Sequence, residues 1–190
     1  EGGGILSDDL SNEIVKSENS QNGLQFYAAL RKKYHTAPRA EESASATMAQ
    51  LFLQQKIAMH LTGRWLVPKY REEAKFDWDI INFPSGKAGS VVPLDSSGWA
   101  VAEKSAHKNE AFKFINYLSS KESIEKFTKS GLIVPARSDV QNSKYFLDGK
   151  KPEHAKIFLD VIKTSKPTPV SVNYKEILDK YRPEFERMFN

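Results

Sequence analysis

The feature that most constrains this chain is an alternation of short apolar runs with longer stretches of helical period, punctuated by glycine, proline and serine. Ile57 to Leu61, Trp78 to Asn82 and Gly98 to Ala102 have the length of strands. Around them, Leu24, Tyr27, Leu30 and Tyr34 keep the spacing of a core-facing helical stripe. So do Met48, Leu51 and Phe52, then Ala111, Phe114, Ile115 and Leu118, then Ile124 and Phe127. Strands separated by helices predict an α/β layer structure, because a strand with two apolar faces needs helices to cover it.

The punctuation sets the expected boundaries. Gly2 to Leu6 reads as a loop entering a short edge strand, and Asn19-Ser20 as the cap of a first helix that Pro38 stops. Thr47 to Gln54 resumes a helix, Gly63 makes a turn, and Leu66 to Ala74 is a short helix with Pro68 in its first turn. Pro84 to Gly89 is a loop at which the chain is expected to cross to a different sheet. A helix over 109–118 follows, then one opened by Ser120 and stopped by Gly131. Pro152 suits the start of a helix carrying Ala155, Phe158, Leu159 and Ile162, and Lys166 to Pro169 is a stiff linker before a last helix from Tyr174.

Composition narrows the class of function. Of 190 residues, 39% are hydrophobic and 27% charged, which describes an ordinary globular protein with a core of its own. There is no cysteine, so disulfides, thiolate metal sites and a cysteine nucleophile are excluded. A net charge of +4 raises nucleic acid as a partner, but the basic residues are scattered among 24 acids and predict a solvated surface instead. The four histidines, His35, His60, His107 and His154, show no metal-ligand spacing. The acidic pairs Asp8-Asp9, Glu41-Glu42 and Glu72-Glu73 diverge on any regular element and make no glycosidase pair. No nucleophile elbow, phosphate loop or dinucleotide fingerprint is present, so nothing in the sequence points to catalysis, a cofactor or a metal.

Two tryptophans point elsewhere. Trp65 ends Ile57-Ala-Met-His-Leu-Thr-Gly-Arg-Trp65, and Trp99 sits in Ser96-Ser-Gly-Trp-Ala-Val101. A flat aromatic brought by a turn to the end of a strand suits stacking on the apolar face of a small ligand such as a sugar ring. Ser96 and Ser97 offer both donors and acceptors, which suits hydroxyl-rich ligands. A core tryptophan at each position is the plain alternative. Trp78, between Asp77 and Asp79, reads as strand core.

These residues also carry a resemblance. Phe52 to Met59 with Gly63-Arg-Trp65, Asp77 to Ile80 with Phe83 to Gly86, Ser97 to Val101 with Asn109 to Ile115, and Gly131 to Arg137 follow one another in an order similar to the second half of an extracellular solute-binding protein of sugar-type ABC importers (family 1, maltose-binding-protein-like). The resemblance implies the C-terminal portion of a two-lobe, periplasmic-binding-protein type II-like fold. Residues 1–88 and 138–190 would then belong to the second lobe, and 92–134 would cross to the first. It implies ligand contacts from Arg64, Trp65, Ser96, Ser97, Gly98 and Trp99, with Arg137 either at the ligand or tying the hinge, and Asn173 and Tyr174 after the proline-rich linker. It further implies a carbohydrate-like solute captured by hinge closure, ABC permease subunits and a missing first lobe as partners, and a place outside the cytoplasm, in the periplasm or as a membrane-anchored lipoprotein.

Two departures stand out. Gln55 occupies a position where such proteins usually carry a glycine, so the helix-to-strand turn is expected to close without a left-handed residue. Members are also about twice this long, and the closing helix is expected to end early, at Arg187 to Asn190. An interaction or adhesion module on the same fold, docking its basic residues such as Arg31, Lys32 and Lys33 on an acidic partner, is the alternative function. A carbohydrate-active hydrolase is a third.

Overall fold

Helices carry this fold, and several begin where a hydroxyl replaces the missing backbone acceptor. The computed structural model describes residues 2–189, so Asn190 at the end of the expected closing helix lies outside the described residues. α1 (Glu18–Lys32) starts from Ser17, whose side chain accepts from the Ser20 amide, ahead of the expected cap at Asn19-Ser20. α2 (Ala40–Ser45) and α3 (Met48–Leu53) follow, the latter held by reciprocal bonds between Thr47 and Gln50. A 3-10 turn over Arg64–Leu66 feeds α4 (Val67–Glu73), which has Pro68 in its first turn. β1 (Pro93–Leu94) precedes α5 (Lys108–Leu118) and α6 (Lys121–Lys129). Ser120 caps α6, and Gly131, at φ 84°, ends it. α7 (Ser138–Gln141), α8 (Ile157–Asp160), β2 (Lys166–Pro167) and α9 (Tyr174–Phe189) complete the chain.

Of the α/β layer structure expected from sequence, the helices are present and the strands are the part this chain does not build. Among the described residues the sheet is the two-residue pair β1–β2, with isolated bridges at Leu6–Glu13 and Gly86–Gly89. Ile57 to Leu61, Trp78 to Asn82 and Gly98 to Ala102, expected as strands, join no ladder. A strand exists only where a neighbouring segment supplies partners for its amides and carbonyls, and here none lies alongside. The helix expected from Pro152 starts instead at Ile157. Its approach is wound tighter, through Ile157 N to His154 O at 2.9 Å and Phe158 N to Ala155 O at 3.2 Å, both i to i−3 bonds.

The chain folds into two compact units, Glu1–Met59 with Pro84–Pro93 and Lys166–Asn190, and His60–Phe83 with Leu94–Ser165. In the first, Val15, Ala49 and Leu51 are buried. There α1 meets α9, where the Tyr27 ring stands edge-on to Phe189 at 4.8 Å and Arg31 donates to the Phe189 carbonyl at 3.0 Å. In the second, Val67, Tyr70, Trp78, Val140, Phe146 and Ala155 form the core. Trp78 is buried as core, edge-on to Tyr70 at 5.5 Å, although its segment is not a strand. α5 buries none of its residues, and Phe114, expected inward, is as exposed as Phe112.

Candidate functional site

The turn Gly63-Arg64-Trp65 sends two neighbouring side chains in opposite directions. Gly63 has an extended backbone, φ −112° and ψ 179°, so it is not needed for a left-handed turn. It is needed because the Trp65 indole lies directly over it: a Cβ built there would overlap the six-membered ring. The indole itself is 63% exposed. Trp65 is thus a flat apolar surface seated on backbone and open to solvent, at the mouth of a 3-10 turn that α4 continues.

Arg64 points inward and is 2% exposed. Its guanidinium lies 4.1 Å from the ring centre of Phe146 and 5.7 Å from that of Phe158. Nε and both Nη atoms are inaccessible to solvent and have no hydrogen-bond partner. Beside it, Arg71 grips Asp148 with both terminal nitrogens, at 2.9 and 3.0 Å, and donates through Nε to the Lys151 carbonyl at 2.5 Å. Burial pushes the Arg64 guanidinium down to about 10, the Arg71 charge adds to this and Asp148 opposes it, so Arg64 stays protonated at neutral pH. Burial also acts to raise the Asp148 carboxyl, but the Arg71 bonds and the Lys150 amide outweigh it and hold the group below its ordinary value. On α4, burial raises Tyr70 to about 12, and its hydroxyl meets His60 Nε2 at 2.5 Å.

The remaining residues singled out from sequence are dispersed. Ser96, Ser97, Gly98 and Trp99 form one exposed irregular stretch, with Trp99 58% exposed and open space around Gly98. Arg137 is exposed and pairs with Asp139 through two bonds of 3.0 Å, within the turn that begins α7. In the first unit, Asn173 is exposed and its carbonyl accepts from Ile177 at the start of α9, beside half-buried Tyr174. Among the described residues no hydrogen bond, ion pair or ring contact joins Trp65 to the 96–99 stretch or to Arg137. The side chains that pack on Arg64, Phe146 and Phe158, carry no local sequence signal, since they reach it from more than eighty residues away.

Chemically, the second unit carries an exposed indole at Trp65 and, separately, an exposed run of small hydroxyls at Ser96 and Ser97, groups of the kinds that contact the apolar face and the hydroxyls of a polar molecule without covalent chemistry. Among the described residues no group of three or more metal-ligating side chains occurs. An open hollow of about 680 Å³ lies elsewhere in this unit, lined by Tyr70, Arg71, Phe76, Trp78, Lys129 and Lys150 among others, and Trp65 is not part of it.

The profile of a family described as bacterial extracellular solute-binding protein matches residues 1–154. Curated proteins from Brucella abortus (strain 2308) and Brucella suis biovar 1 (strain 1330), each described as a binding protein, are 23% identical over 146 residues, covering 76% of this chain. The chain spans about a third of their length, 35%. An ABC substrate-binding protein from Listeria monocytogenes, solved in complex with cycloalternan, superposes over 100% of this chain with a TM-score of 0.84 at 22% identity. The chain covers 48% of that protein, and at this identity the likeness establishes the fold alone.

Proposed function

The chain belongs to the bacterial extracellular solute-binding protein family, and on that premise we propose that it is part of a receptor that captures a sugar or similar polyol-like solute for an ABC importer. The observation that carries this reading is Trp65, a tryptophan 63% exposed yet seated on a glycine that has no room for a Cβ. An aromatic held open in that way gives a sugar ring a face to stack on without first being ordered. The Listeria protein's complex with cycloalternan supports a carbohydrate as the first class of solute to try. Ser96, Ser97 and Trp99 would supply further contacts.

Capture in this reading is non-covalent and involves no turnover. The two lobes close on the solute about a hinge, and the closed form is what the permease recognises. Residues 92–134 pack on the first lobe, which covers the bare aromatics of α5. The receptor works outside the cytoplasm, in the periplasm or tethered there as a lipoprotein.

A solute that binds only the folded state raises the melting temperature. Thermal unfolding of the complete receptor against cycloalternan, mono- and oligosaccharides, glycerol phosphates and amino acids is expected to give a shift with one carbohydrate class. Trp65→Ala should weaken that binding at least about tenfold, the worth of one lost stacking contact. No shift across the panel, from folded protein shown to be free of carried-over ligand, would overturn the reading in favour of an interaction module.

A further inference from the structure

Arg64 has an anomaly that solute capture by Trp65 leaves unexplained. A guanidinium carries five N–H donors, and here it is enclosed with none of its nitrogens hydrogen-bonded. Burying such a group destabilises a fold, because water has been removed and nothing polar replaces it. The neighbouring carboxylate does not remedy this, since Asp148 bonds Arg71 and the Lys150 amide and makes no hydrogen bond to Arg64. Nor is there room beside the nitrogens for a water molecule, as all three are inaccessible. What Arg64 does have is the face of Phe146, itself fully buried, at 4.1 Å, with Phe158 at 5.7 Å.

A methionine of similar length would fill this space without the cost of a buried charge. The arginine therefore contributes geometry. A planar guanidinium placed over a ring face is restricted in orientation, whereas an aliphatic chain packs in several. Arg64 and Trp65 are successive residues of one 3-10 turn, so fixing the first inward fixes the second outward, onto the bare backbone of Gly63.

We infer that Arg64 is the positioning residue for Trp65: its guanidinium, clamped on Phe146, sets the turn that holds the indole open to solvent. Arg64 then acts on the solute through Trp65 and does not touch it, an extension that rests on the reading of Trp65 as the stacking surface. The arrangement trades stability for a preorganised aromatic face.

The test uses the 190-residue chain labelled with 5-fluorotryptophan, in which Trp65, Trp78 and Trp99 give three fluorine resonances. Trp65→Phe assigns the one that matters. Arg64→Met is expected to leave the unfolding midpoint unchanged or higher, keep the Trp78 and Trp99 resonances in place, and shift and broaden that of Trp65. Arg64→Lys, which keeps the charge but not the plane, is expected to disturb Trp65 in the same way. An unperturbed Trp65 resonance in either variant overturns the inference, and so does failure of Arg64→Met to fold, which would make the role one of stability. In the complete receptor, Arg64→Met should weaken a carbohydrate found by thermal shift about tenfold. Trp65→Ala without effect would sink the functional reading. Trp65→Ala with effect and Arg64→Met without it would sink this inference alone.

Discussion

Gln55 shows how one residue can be singled out correctly and given the wrong conformation. Its position, where a glycine is usual, led to the expectation that the turn after α3 closes without a left-handed residue. Gln55 itself takes that conformation, at φ 58°, and the turn closes through Gln55 N to Phe52 O at 2.8 Å and Lys56 N to Leu51 O at 2.9 Å. The hydrogen bonds that satisfy the end of α3 outweigh the Cβ crowding that left-handed backbone imposes. Gln55→Gly removes the crowding and adds some freedom to the unfolded chain, so a net gain of about 0.5 to 1 kcal/mol is expected. Urea unfolding followed by circular dichroism would show it, and a loss of stability would mean that the glutamine side chain contributes more than its backbone costs. The same limit applied at Gly63, which sequence assigns to a turn while the structure uses its missing Cβ as a seat for Trp65. Sequence reveals that a glycine is present, and only packing reveals which of its freedoms is in use.

Element by element, the helices were legible and their burial was less so. Caps and stops are local chemistry, so Thr47, Ser120, Pro68 and Gly131 mark real boundaries. What α4 does with its exposed-looking arginine is not local. Arg71 reaches Asp148, both side chains 17% exposed, and ties α4 to the loop before α8. No spacing rule links positions 71 and 148. The pairing predicts a pH dependence whose sign follows from Asp148 lying below its ordinary value when folded. The stability it adds is fully present above the unfolded carboxyl's pKa of about 4, and is lost as pH falls through the lower folded value. Asp148→Asn should therefore cost about 2 kcal/mol at neutral pH, the scale of a lost charge-assisted bond. Chemical denaturation of both proteins at falling pH should show the difference between them shrinking below about pH 4. A constant difference down to acid would mean that the carboxylate's charge is not what joins the two segments.

At the scale of the molecule, family and fold were carried by the order of several individually weak segments from Phe52 to Arg137, while the strands expected between them were not built. Apolar runs announce that a segment is to be covered, and they do not say by what. α5 makes the point most sharply. Phe112 and Phe114 lie two residues apart, hence on opposite sides of the helix, and each is 60% exposed, with Tyr117 at 51%. A helix bare on two sides cannot have its aromatics covered by a single neighbouring element, and exposed apolar surface of this kind favours association. The 190-residue chain is therefore expected to associate with rising concentration in sedimentation velocity, and Phe112→Ser with Phe114→Ser to reduce that association while leaving the helical circular dichroism in place. The surface position of both side chains is what keeps the substitutions from unfolding the second unit, since none of its buried core residues is altered. Sedimentation independent of concentration in the unsubstituted chain would refute this reading of α5.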